Sequence, residues 1–134
     1  MSKSVNLQMI KEVYDAFGRG DLTSVMDRCT DDIDWELFIP PEIPYSGRYR
    51  GRDELARFFR LFGEAVDIIK FATTEFIVAE DAVVVLGWDK VLVKKTHRQF
   101  EMNWVHVYNL RAGRISRFRE YFDTSSMVVA FQSI

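Results

Sequence analysis

The sequence is short of the residues that most often announce a chemistry. Of its 134 residues one is cysteine, Cys29, and two are histidine, His97 and His106. A lone cysteine cannot form an internal disulfide, which fits a reducing compartment. So few thiol and imidazole groups leave no ligand cluster, and no metal is expected. No glycine-rich phosphate loop is present, so no nucleotide cofactor is expected either. The three prolines sit together at Pro40, Pro41 and Pro44, and the rest of the chain is free to form uninterrupted elements. No apolar run approaches the ~20 residues of a membrane helix. The opening stretch, MSKSVNLQMIKEVYDAF, lacks the apolar core of a signal peptide, and the chain reads as cytoplasmic. A net charge of −2 implies neither a nucleic acid nor a membrane as partner.

What is abundant is aromatic rings. Eleven Phe, five Tyr and three Trp must fill a core, line a cavity or cover a partner. With 48% hydrophobic and 28% charged residues, the chain reads as one globular domain over residues 1–134. Ile10, Val13, Tyr14 and Phe17 recur at helical spacing and predict a helix over 4–17, ended by Gly18 and Gly20. Asp21 suits the cap of a shorter helix with Leu22, Val25, Met26 and Cys29 on its inner side. Thr30-Asp31-Asp32 should break it, before a strand over 33–39 with Trp35, Leu37 and Ile39 on one face. The proline segment then runs through Tyr45, Arg48, Tyr49 and Arg50 as an expected solvated loop, or as a lid over a pocket mouth. A third helix over 52–66 carries Leu55, Phe58, Phe59 and Phe62. Its first turn holds Asp53 and Glu54, where the helix dipole favours anions.

From Ile68 the pattern changes to period two. Strands over 68–78, 83–93, 99–110 and 115–123, parted by short polar turns, predict an antiparallel meander. A short capped helix is expected over 123–131. Helices first and strands after make an α+β domain with the helices on one face of the sheet. Alternation places Trp104, His106 and Tyr108 on one side of the third of these strands, and Phe118, Glu120 and Phe122 on one side of the fourth. On the second strand, Trp88 and Lys90 are expected to share that inner face. Val83, Val85 and Gly87, with Val105, Val107 and Asn109, are expected on the outer one.

Three stretches, FGRGDLTSVMDRCTDDIDW, PYSGRYRGRDELARFF and WVHVYNLRAGRISRFREYFD, occur in this order along the strand pattern. Together they resemble the nuclear-transport-factor-2-like superfamily, in particular its SnoaL-like branch. The resemblance implies a curved, mostly antiparallel sheet wrapped around three N-terminal helices, a cystatin-like α+β barrel with a conical pocket. It also implies a homodimer paired through the outer sheet face. Ketosteroid isomerases, limonene epoxide hydrolase and polyketide cyclases belong to that superfamily. Carried over position by position, the isomerase oxyanion donor falls at His106, the general base at Leu37 and the oxyanion tyrosine near Val13. Two apolar residues at those places imply that steroid isomerisation by that mechanism is not the activity. The epoxide-hydrolase arginine falls at Trp88 and its two carboxylates at Lys90 and Glu120.

The sequence therefore points to a small, largely apolar organic ligand. His106 is the expected acid–base group or oxyanion donor, Glu120 its partner and Lys90 an electrostatic tuner. Trp35, Leu37, Trp88, Trp104, Phe118, Phe58, Phe62 and Tyr14 form the expected pocket wall. Isomerisation, dehydration and hydrolysis are reactions such a site suits. Two other readings use the same residues. In one, His106 is a core histidine and Lys90–Glu120 an ordinary ion pair, in a protein that binds a ligand without chemistry. In the other, the cone is filled by its tryptophans and phenylalanines, and the domain serves only to dimerise.

Overall fold

A computed structural model describes residues 2–132. In chain order the elements are α1 (Lys3–Gly18), α2 (Leu22–Asp27), β1 (Cys29–Phe38), β2 (Gly47–Arg50), α3 (Gly51–Ala65), β3 (Val66–Val78), β4 (Ala82–Val93), β5 (Gln99–Arg111), β6 (Arg114–Phe122) and α4 (Ser125–Phe131). Among these residues no helix is long and apolar enough to cross a membrane.

The first three helices begin where a side chain can accept a hydrogen bond from an otherwise free N–H. Ser2 accepts from the Val5 N–H, and Asp21 from the Ser24 N–H at 3.1 Å. Glu54 reaches back to the Arg50 N–H at 2.7 Å. Each helix then buries one stripe: Ile10, Val13 and Ala16 on α1, and Leu55, Phe58 and Phe59 on α3.

The strands form one sheet in the order β2-β1-β6-β5-β4-β3. β3 to β6 are the expected meander, while β1 joins β6 in parallel and β2 antiparallel. The sheet is open, with β2 and β3 as its edges. Side chains from α1, α2 and α3 and from both halves of the sheet border one interior cavity, so the sheet curls around the helices. The β5–β6 hairpin turns at Ala112 and Gly113, both with positive φ (52° and 76°). That is the geometry whose twist matches two antiparallel strands.

Two segments differ from expectation. β1 starts at Cys29 rather than Ile33, because the polar Thr30-Asp31-Asp32 run is an irregularity within the strand and not a break. The register against β6 shifts between Cys29 and Asp34, leaving Asp31 and Asp32 exposed. The proline segment ends in a strand, β2, and its two tyrosines are buried. Tyr45 packs on Phe62 and Tyr49 on Phe58, at ring separations of 5.0 and 5.2 Å. Ring burial anchors this loop against α3, so it is no solvated excursion.

The face of β4 is also reversed. Val83 and Val85 are completely buried, and Gly87 and Asp89 share their side of the strand. Trp88 and Lys90 therefore lie on the outer face, with Lys90 in register with Lys70 and Glu101. The outer apolar residues of β4 include Val84 and Leu86, not Val83, Val85 and Gly87. β4 is apolar at both parities, so alternation cannot choose a face. Pairing with β5 chooses it: Val85 stands opposite His106, and Gly87 opposite Trp104. A Cβ on Gly87 would come within 2.3 Å of the Trp104 ring and 2.4 Å of the Ala72 carbonyl oxygen. Only glycine lets that indole lie flat across the strand.

Candidate active site

His106 and Glu120 are direct cross-strand neighbours on β5 and β6, so they meet on the inner face. His106 Nε2 lies 2.6 Å from a Glu120 carboxylate oxygen, and both side chains are nearly buried. On its other side, His106 Nδ1 lies 2.7 Å from the Tyr14 hydroxyl, which α1 brings down onto the sheet. The Tyr108 hydroxyl donates to Tyr14 at 2.9 Å.

The donor order follows from the number of protons available. Tyr14, having accepted from Tyr108, donates its one hydroxyl proton to Nδ1. Nδ1 is then the acceptor and Nε2–H the donor to Glu120. Burial, with the neighbouring phenol, raises Tyr14 well above the usual range; Tyr108 is raised chiefly by burial. Both therefore stay neutral donors. The result is a one-way relay, Tyr108 to Tyr14 to His106 to Glu120, that ends on a carboxylate. Both ring nitrogens of His106 are engaged. Trp104 stacks on the imidazole at 3.8 Å and Phe118 meets it edge-on at 4.9 Å, which fixes the ring plane.

Asp89 is the group that sequence reasoning missed. It is 6% exposed and lies between Phe71 and Met102 in the sheet register. Among the described residues its Oδ1 has no hydrogen-bond partner. Burial, reinforced by the charge of Glu120, pushes its carboxyl up to about 7. An apolar setting disfavours the ionised form, and a second carboxylate disfavours it further. The available signal was parity with Gly87: a carboxylate recurring in step with Val83, Val85 and Val91.

Asp89, His106 and Glu120 border a cavity of about 70 Å³. The rest of its wall is almost wholly apolar or aromatic. Of the expected lining residues, Tyr14, Trp35, Phe58, Phe62 and Phe118 border it. Leu37 is buried beside Glu120 in register but sits in the core, and Trp104 is screened behind His106. Trp88 and Lys90 are excluded by the face of β4, so Lys90 cannot tune Glu120. A groove of about 560 Å³ between α1 and β3 shares Tyr14, Phe17, Ile68 and Phe71 with the cavity wall. Phe17 and Phe71 stand 5.5 Å apart between the two spaces. His97 is exposed in a turn, as expected, and Cys29 is a core thiol that burial pushes up to about 12.

The fold and this inner face define a cone-shaped α+β domain of the nuclear-transport-factor-2-like type. The chain belongs to the SnoaL-like domain family, whose model matches residues 10–118. An NTF2-like protein from Burkholderia xenovorans LB400 is 33% identical, with a TM-score of 0.88 over 98% of this chain and 99% of that chain. An uncharacterized protein of Mycobacterium tuberculosis is 21% identical over 98% of both chains. TerC, co-crystallized with polyporic acid, is 22% identical, with a TM-score of 0.84 over 96% of this chain and 99% of that chain. At that identity it speaks for the fold alone.

Proposed function

We propose that this chain is an acid–base enzyme acting on a small, largely apolar organic molecule. The observation that carries the reading is that two carboxyl groups, Asp89 without a hydrogen-bond partner on Oδ1 and Glu120 bonded to His106, border one apolar cavity. Asp89, with its carboxyl raised to about 7, supplies a proton. Glu120, held by the His106 Nε2–H, takes one. A proton removed from substrate passes to the Glu120 carboxylate, and the Asp89 proton goes to the substrate atom that gains electron density. Separating two carboxyls in this way assigns acid and base. His106 is then a positioning residue, since neither of its nitrogens is free. Isomerisation, dehydration and hydrolysis all fit this exchange.

The test is a turnover screen against cyclic ketones, epoxides and hydroxylated rings, followed by Asp89→Asn and Glu120→Gln on any substrate found. Each variant should lower kcat/KM by about 100-fold. Wild-type activity should fall as pH rises through about 7, where Asp89 loses its proton, and Asp89→Asn should remove that limb. Full turnover in both variants would overturn the assignment.

A second reading has one observation in its favour. The cavity, at about 70 Å³, is far smaller than the roughly 300–1,000 Å³ of most small-molecule sites. A nearly filled cone suits a dimerisation module without chemistry. A dimer mass together with no binding of any compound in the screen would favour it.

We also propose that the outer sheet face pairs with a second copy of the chain. Ile77, Val84 and Val107 form one row across it, and Leu86, Val105, Tyr121 and Phe38 the next. Ile77, Tyr121 and Phe38 are each more than 40% exposed. A contiguous apolar face of this kind marks an interaction surface. Light scattering should give a dimer mass, and Val107→Glu should give the monomer.

A further inference from the structure

We propose that Trp35 and Tyr45 form a polar subsite in the cavity wall that binds an oxygen atom of the ligand. This rests on reading the cavity as a ligand site, though not on any turnover there.

Trp35 reaches the cavity from β1 and Tyr45 from the proline-bearing loop. Both are almost completely buried, at 5% and 2% exposed. Their rings are well held: Trp35 stacks on Phe118 at 3.8 Å, and Tyr45 meets Phe62 edge-on at 5.0 Å. Among the described residues the Trp35 Nε1–H has no acceptor, and burial raises the Tyr45 hydroxyl above its usual range, so it stays a neutral donor. Buried indole and phenol groups ordinarily find a partner. Here the unmet indole belongs to a residue that borders the same apolar space as the Tyr45 phenol.

The indole narrows the choice of partner, because it can only donate. The ligand atom that satisfies it must be an acceptor. A carbonyl, ether or hydroxyl oxygen qualifies, and a hydrocarbon does not. With aromatic rings on most of the remaining wall, the favoured ligand is a small ring compound bearing such an oxygen. Trp104 Nε1 is also without a partner, but Trp104 does not border the cavity and has no part in this subsite.

The test compares two probes of nearly equal shape, acetophenone and α-methylstyrene, which differ by an oxygen in place of a methylene group. Binding to the full chain is followed by NMR, reading the three tryptophan indole N–H signals. Acetophenone should bind about tenfold tighter, as one net hydrogen bond predicts, and should move the Trp35 indole proton downfield. Trp35→Phe and Tyr45→Phe, which keep a ring and remove the polar atom, should each reduce that preference to about threefold or less. Their affinity for α-methylstyrene should stay unchanged. Equal affinity for the two probes, binding of neither below about 10 mM, or a preference that survives both substitutions would overturn the proposal. The wild-type indole shift decides the case should either variant fail to fold. All readouts are equilibrium binding, so loss of the acid–base reading through lack of turnover would leave this result standing, and the reverse.

Discussion

Asp34 and Asp89 sit on opposite faces of one sheet, and the sheet treats them in opposite ways. On the outer face, Asp34 receives two hydrogen bonds from the Arg48 guanidinium, at 2.8 and 2.5 Å, and its carboxyl is held below the usual range. On the inner face, Asp89 is enclosed by apolar side chains, and burial together with Glu120 raises its carboxyl to about 7. The side chain is the same. What differs is access to water and to a cation, and those two factors decide whether a carboxylate is an ordinary surface ion or a proton donor near neutral pH. The two faces repeat this contrast more widely. Outside, Arg111 pairs with Asp32 and Lys94 with Asp67, each in solvent. Inside, polar groups are either joined in the Tyr108–Tyr14–His106–Glu120 relay or, like Asp89 Oδ1 and the Trp35 indole, buried without a partner.

The most direct way to break the contrast is Asp89→Asn. Below pH ~4 both folded and unfolded wild-type chains carry a protonated Asp89, and ionisation adds no cost to folding. As pH rises the unfolded chain ionises first, so wild-type stability falls from about pH 4 to about pH 7 and then levels off. Asparagine does not ionise. The unfolding free energy of the variant relative to wild type should therefore improve by up to about 4 kcal/mol between pH 4 and pH 8, as urea titrations at several pH values would show. A flat difference would mean that Asp89 is solvated.

Next in size is Gly87→Ala. The added Cβ meets both the Trp104 ring and a backbone carbonyl, and the strand or the indole must shift, at a cost of about 3 kcal/mol. Changed tryptophan emission would accompany the loss of stability. Tyr14→Phe should cost about 2 kcal/mol, because it leaves the Tyr108 hydroxyl and His106 Nδ1 without their shared partner. Denaturant unfolding measures it. The smallest effect should come from Asp34→Asn on the outer face. Its carboxyl is depressed, so its contribution is present above pH ~4 and is lost as pH falls through the folded value. The variant should therefore unfold less steeply in acid than wild type. At neutral pH the difference should fade in 0.5 M salt, as expected for a partly exposed pair. An inner-face variant should show no such salt dependence.

Much of the fold was legible in the sequence because its strongest signals are local. The four-strand meander, the hairpin at Ala112-Gly113 and the three helices all announce themselves through periodicity and turn residues. The inner faces of β5 and β6 were legible for a related reason. On β5, Trp104, His106 and Tyr108 alternate with smaller side chains, and on β6 Phe118 and Glu120 alternate with Arg117 and Arg119. β4 was not. VVVLGWDKVLV is apolar at both parities, so a one-residue ambiguity exchanged Asp89 for Lys90 and replaced the acid of the proposed site with a surface cation. Tyr45 and Tyr49 were hidden by their setting beside three prolines, where exposure is the ordinary outcome.

The sequence by itself determined the helices, the four-strand meander and the α+β order, though not β2, because backbone propensity and side-chain period act over a few residues. It also determined that His106 and Glu120 would face the interior. Only the tertiary structure decided what surrounds them. The register of β4 against β5, set by Gly87 beneath Trp104, turned Asp89 inward. The descent of α1 onto the sheet supplied Tyr14 to His106. Those are long-range packing choices, and a carboxyl's proton affinity depends on them because desolvation is a property of the whole enclosure and not of the residue.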